Sequence, residues 1–332
     1  MVEAAGCGSD LWREGLSMKK LNLVVSLITE DNDFQLEQAA SAQAAASKIG
    51  ANLQIIYANN DAVLQTQQLL QFIQDPKKRP DAILVEPVGT GMTQVAKAAV
   101  SAGIAWVVIN AGVDYLPELR QHATIPVFSV ASNNLEIGRI QGQQIGSILG
   151  DTGCALLIEG PGVRDVARLR TKGLMEAKPS GVMVKSLKGD WTPQGGYHAV
   201  HSWLGLSTSR EMKVGMIVCQ NDDMASGARR AFEDLPDLKE RDAWLRLPIT
   251  GCDGVPKAGQ AWVRKGKLTA TVLSPPLVGD AILMLSTAFE SGAQPAERTL
   301  STPSSFPALG ELSRNRPASF GTSAGTSAGK TN

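Results

Sequence analysis

Ten side chains in this 332-residue sequence stand at or just beyond the ends of short apolar runs, and their types suit the holding of hydroxyl groups. Ser26, Asn32 and Phe34 follow the run from Leu21, Asn110 follows Trp106 to Ile109, and Ser132 follows Val127 to Val130. In the second half Arg168 follows Ala155 to Ile158, Trp191 follows Val182 to Ser186, and Asn221 follows Gly215 to Cys219. Asp253 and Ser274 close the series, after Pro248 to Thr250 and Ala270 to Leu273. A sugar hydroxyl both donates and accepts, so the paired polar groups of Asn, Asp and Arg can each engage two neighbouring hydroxyls. The C–H faces of a sugar ring lie well on aromatic rings, which Phe34 and Trp191 could supply from opposite sides. Each residue also has a plainer reading. Asn133, Asp222 and Asp223 suit helix caps, Asp253 before Gly254 suits a turn, Trp191 a core ring, Phe34 a staple and Arg168 a solvated helix charge.

The elements that must position these groups alternate in type. From Leu21 to about Ser291, β-rich runs are separated by helical patterns such as Phe34 to Ile49, Ala62 to Gln74 and Met92 to Ala102. That alternation predicts α/β architecture, parallel sheets with helices on both faces. Ligands of open α/β sheets bind outside the carboxyl ends of the strands, which is where the ten residues fall. A further helix is predicted after Asn133, with Glu136 placed for a capping box and Ile137, Ile140, Ile145 and Ile148 near one face. It begins where one five-strand series is complete and a second starts, so the first crossover between two lobes is expected near Ala131 and Ser132.

Composition narrows the partners. Lys plus Arg and Asp plus Glu are 32 each, so neither nucleic acid nor an acidic membrane surface is expected as a partner. The longest apolar stretches, such as Leu21 to Ile28, fall far short of the roughly 20 residues of a membrane span. Cys7, Cys154, Cys219 and Cys252 show neither CxxC nor zinc spacing, and three of them read as small core hydrophobes. The opening MVEAAGCGSDLWREG lacks the apolar segment of a secretory signal. Its AAGC quartet resembles the end of a lipoprotein signal, with Cys7 as the lipidated residue, and Met18 offers a later start. The last twenty residues or so are rich in Gly, Ser, Thr and Ala and read as a disordered tail.

Enzyme motifs are weak. Gly160 and Gly162 follow a strand, but Asp165 replaces the third glycine of a dinucleotide loop. His198 and His201 lack a third ligand at metal spacing, and neither a nucleophile elbow nor a phosphate loop is present. No cofactor is expected.

The pieces LVVSLITEDNDFQ, VASNNLEIGRIQGQQI, IEGPGVRDVARLRTKG, VCQNDDMASGARRAF and TGCDGVPKAGQAWVRKGKLTATV resemble the type I periplasmic binding proteins of the ribose and galactose class, a fold shared with LacI-type ligand domains. The resemblance runs from about Leu21 to Gly292. It implies two doubly wound parallel-sheet lobes joined by three crossovers, with later crossings near Ser274 and near Ser291 to Ala293. The lobes would comprise 20–131 with 275–292, and 132–274 with 293–312, leaving 1–19 and 313–332 disordered. It implies that Arg168 in VARLR binds sugar, that Trp191 stacks, and that Asn221 and Asp253 hydrogen-bond the ligand. Ser274 stands where the family often has Gln, and Phe34 where aromatics follow an Asn-rich loop. Many members end the fourth strand with Asp-Arg, whereas this chain has Asn110 and Ala111, which favours a polyol, a modified sugar or another small polar ligand over ribose or glucose. The implied function is non-enzymatic capture of a sugar or polyol for the membrane permease of an ABC importer, in the periplasm or cell envelope. A sensor signalling to a kinase, with a cytoplasmic location, is the alternative that the missing signal suggests. A repressor would need a helix-turn-helix domain of some 60 residues before the first strand, where about 20 stand.

Overall fold

The computed structural model describes residues 20–162 and 165–314. The expectations for Cys7, for the start at Met18 and for disorder in 1–19 lie outside these residues, as does all but the beginning of the disorder expected from 313.

Twelve strands form two six-stranded sheets. The first contains β1 (Asn22–Leu27), β2 (Asn52–Tyr57), β3 (Ala82–Val85), β4 (Ala105–Ile109), β5 (Val127–Ala131) and β11 (Arg298–Leu300), in the order β11-β5-β4-β3-β1-β2. The second contains β6 (Thr152–Glu159), β7 (Gly181–Lys188), β8 (Met216–Cys219), β9 (Ile249–Asp253), β10 (Ala270–Leu273) and β12 (Ser304–Phe306), in the order β12-β10-β9-β8-β6-β7. All pairings are parallel except β10 with β12. The strand order reverses between β1 and β3 in one lobe and between β6 and β8 in the other, the points at which open α/β sheets leave a crevice for a ligand. This is the expected doubly wound α/β architecture.

Burial explains which runs became inner strands. Every residue of β3, β4 and β5 is buried, as are those of β8 and β9, matching near-continuous apolar runs covered on both faces. Small side chains then set the helix spacing. Ala39, Ala42, Ala45 and Ala46 are buried on the helix Asp33–Lys48, which lies against the returning helix Val278–Ser291. Asn133 caps the helix Asn134–Leu149 by accepting from the Glu136 amide at 3.3 Å, as its spacing predicts.

The third passage between sheets differs from expectation. The chain stays with the first lobe through β11 and leaves it only in 301–303, so residues 293–300 do not join the second lobe. The edge of β5 offers unpaired backbone groups, and this segment satisfies them. The Ser129 amide donates to Glu297 O at 2.8 Å, and Gln294 bridges the Val127 amide and Ile125 O. Arg120 adds donations to Val127 O, at 2.6 Å, and to Pro295 O. Beyond β12, the helix Leu309–Arg314 buries Leu312, so ordered structure extends through 313 and 314.

Candidate functional site

Arg170 sits at the floor of a cavity between the lobes, and helix packing puts it there. On the helix Asp165–Ala177 the buried positions are Ala167, Arg170, Gly173 and Leu174, a stripe at helical spacing facing Asn134–Leu149. The two helices approach so closely that a Cβ at Gly138 would lie 2.0 Å from Arg170 O, and one at Gly173 would lie 2.0 Å from Leu135 O. The Arg170 guanidinium donates to Asn134 Oδ1 at 3.0 Å and to Gln220 O, and stands 3.8 Å from Asp253 Oδ1. Asp253 closes β9. Burial pushes its carboxyl up to about 7, against the downward pull of Arg170 and with Asp223 and Glu86 adding to the rise.

The aromatic walls come from opposite lobes. Trp191 follows β7, its ring packed where Gly160 has no side chain; a Cβ at Gly160 would fall 2.1 Å from that ring. The Arg170 guanidinium lies 5.6 Å from the Trp191 ring centroid. Asn221 fixes the Trp191 backbone by donating to its carbonyl at 2.9 Å, while its own Oδ1 caps the helix Asp222–Glu233 by accepting from the Met224 amide at 2.9 Å. Phe34, in the first turn of the helix after β1, lines the same cavity and is buried.

The first lobe contributes a polar chain. Asn32 Oδ1 accepts from the Gln35 amide at 2.9 Å. Gln35 donates to Glu86 Oε2 at 2.8 Å, and Asn110 Nδ2 donates to Glu86 Oε1 at 3.0 Å. Asn110 Oδ1 is buried with no hydrogen-bond partner. An unpaired buried acceptor is costly, so this atom is suited to receive a hydroxyl.

Backbone strain gathers at this place. Among the described residues Asn59, Asn60, Asn110, Trp191 and Asp253 are the non-glycine residues with positive φ, and the last three line the cavity, at 52°, 75° and 105°. Such conformations cost about 1–3 kcal/mol each and persist where the surroundings over-determine them.

The cavity therefore brings together Asn32, Phe34, Asn110, Trp191, Asn221 and Asp253 from the sequence-based set, with Gln35, Glu86, Arg170, Ile28 and Val166. Its empty space, mouth included, is about 460 Å³. Arg168 is not part of it. That side chain is 64% exposed and pairs with Asp165 at 2.7 Å, because it lies on the opposite side of its helix from the buried stripe. Ser26 lies below the cavity, its Oγ accepting from Gln65 Nε2 at 3.0 Å. Ser132 and Ser274 meet each other at 3.2 Å where two passages between the lobes run side by side. Sequence reasoning missed Glu86, which directly follows the strand Ala82–Val85, and Gln35. It also missed Arg170, which the phase of Ala167 and Leu174 could have revealed. Asp222 is a structural group, accepting from the Gly254 amide at 2.8 Å and from Thr271 Oγ1 at 2.7 Å. His198 faces Gln194, and His201 stacks on Tyr197. Among the described residues no cluster of His, Cys, Asp and Glu has a metal-holding arrangement, and no helix is long and apolar enough to cross a membrane.

Comparison with known proteins agrees with this architecture. A protein of Rhizobium meliloti described as rhizopine-binding is 32% identical over 193 residues, which is 55% of this chain and 58% of that protein. The ribose import binding protein of Escherichia coli is 26% identical over 281 residues, 83% of this chain and 86% of its own. A periplasmic solute-binding protein of an ABC transporter from Actinobacillus succinogenes, crystallised with D-allose, superposes with a TM-score of 0.74 at 20% identity, covering 89% of this chain and 100% of that one. The family model described as periplasmic binding protein domain matches residues 23–293. With that match over most of its length, and with two doubly wound lobes around a shared cleft, the chain belongs to the periplasmic binding proteins of type I.

Proposed function

We propose that this protein captures a small, hydroxyl-rich ligand, a sugar or polyol, in the cavity between its lobes and passes it unchanged to the membrane permease of an ABC importer. The observation that carries this reading is the pairing of two aromatic walls, Phe34 and Trp191, with buried polar groups from both lobes: Asn110 from one, Arg170 and Asp253 from the other. Such a site offers a ring face on each side and directional partners at its edge, and closure of the lobes would exclude water from those bonds. The ribose, rhizopine and D-allose named for the similar proteins belong with this chemistry. The cell envelope is the matching location.

A thermal-shift panel of sugars and polyols tests the reading. A ligand at a hundredfold excess over its Kd stabilises the folded protein by about 3 kcal/mol, so at least one member at millimolar concentration raises the melting temperature. No shift with any member counts against a carbohydrate ligand. A ligand recovered chemically unchanged after long incubation supports capture without catalysis, and its conversion would show an enzyme.

A further inference from the structure

The cleft does not end at the cavity just described. Asn110 and Val166 form a wall common to it and to a second, larger chamber, whose empty space is about 1560 Å³ against about 460 Å³ for the first. Thr90, Ala111, Asp114, Tyr115, Arg168 and Arg298 are among its lining residues. The first cavity holds the aromatic walls and the buried polar groups, and the second chamber, open to solvent, adds room beyond Asn110 for a further unit.

We propose that the second chamber is a subsite for a further unit of the ligand, so that the solute is a glycoside or disaccharide rather than a single ring; this rests on the solute-binding reading above. Asn110 stands at the junction. It is 8% exposed, its Nδ2 is committed to Glu86, and its Oδ1 has no partner, so the acceptor is placed to receive a hydroxyl of either unit close to the linkage. Ala111 and Gly112 follow, presenting a methyl and no side chain, so the chain beyond Asn110 leaves space instead of closing the wall. The Arg298 guanidinium reaches over Gly112, 3.7 Å from where a Cβ would stand, and makes no ion pair among the described residues. The described charges of the chamber balance, Asp114 and Asp165 against Arg168 and Arg298, and Asp165 is already paired with Arg168. A neutral, hydroxylated second unit fits that balance, with Arg298 as a donor fork for its hydroxyls.

Calorimetric titration of the full chain tests this, with ribose, galactose, xylitol and myo-inositol as single units and with lactose, melibiose, maltose and methyl galactosides as extended probes. The expected result is an extended probe that binds about tenfold or more tighter than its best component. Ala111→Leu, which intrudes on the second chamber, should remove that advantage while leaving single-unit binding unchanged. Arg298→Ala, at an exposed position, makes the same test should Ala111→Leu fail to fold. Single units that bind with no extended probe binding more tightly overturn the subsite and leave the solute-binding reading standing. An extended probe whose advantage survives in Ala111→Leu and in Arg298→Ala also overturns it. Binding of no member of either group overturns the subsite and the solute-binding reading together.

Discussion

The Arg170 guanidinium lies 3.8 Å from the Asp253 carboxylate, and both are buried at the floor of the interlobe cavity. Arg168, two residues earlier, lies largely exposed at the edge of the second chamber, outside the first cavity, and pairs with Asp165. The two arginines therefore separate cleanly in a mutational test. Arg170→Ala should weaken ligand by about tenfold to a hundredfold, the worth of a charge-assisted hydrogen bond. Arg168→Ala should leave single-sugar affinity and melting temperature nearly unchanged, since exposed ion pairs contribute about 0–1 kcal/mol. A large loss from Arg168→Ala would return that residue to the site.

Protonation of Asp253 gives the second expectation. Its carboxyl is pushed up to about 7 by burial, and Asp223 is pushed up to about 7 by burial and by Asp33. In the unfolded chain both titrate near 4. Between these values the folded state holds protons that the unfolded state has lost, so these groups make stability fall as pH rises from about 4 to about 7 and stop contributing a slope above that. Ligand affinity moves the other way. Hydroxyl donors prefer the carboxylate, so affinity should rise up to about tenfold per pH unit below 7 and level off by pH 8. Asp253→Asn should abolish that pH dependence; an unchanged profile in the variant, or a flat one in the wild type, contradicts the role.

Trp191 owes its position to the missing side chain at Gly160. Trp191→Ala should leave the fold intact, because the ring is partly exposed, and weaken ligand by about tenfold, in line with the roughly 0.5–1.5 kcal/mol of an aromatic contact beyond its buried area. Gly160→Ala should reproduce that loss by displacing the ring. Normal affinity in both variants would make Trp191 a packing residue.

Gly138 tests how the fold holds the site. A methyl there meets the Arg170 carbonyl, so Gly138→Ala should destabilise by about 1–3 kcal/mol through overpacking and shift Arg170 away from Asp253. Thermal melts and ligand affinity should fall together; a stable protein with unchanged affinity would mean the helices can part without moving the arginine.

Much of this was readable before any coordinates, for identifiable reasons. The inner strands announce themselves through apolar runs such as Ala155 to Ile158, and the rule that ligands gather at strand ends marks Asn110, Trp191, Asn221 and Asp253. β11 and β12 stayed hidden because three-residue edge strands carry no hydrophobic periodicity; β11 exists because Gln294 and Glu297 supply partners to the edge of β5. Glu86 stayed hidden because it directly continues the apolar run Ala82 to Val85. The choice between Arg168 and Arg170 needed the helix phase. Asp165 three residues before Arg168 marks a surface pair, and Ala167 three before Arg170 marks the buried stripe.

The most direct test of the site is calorimetric titration of the wild type and of Arg170→Ala with the sugar or polyol that shifts the melting temperature most. One ligand per chain, with affinity reduced about tenfold or more in a folded Arg170→Ala protein, is the expected result. Equal affinity in the two proteins would contradict a ligand held between the lobes against Arg170 and Asp253.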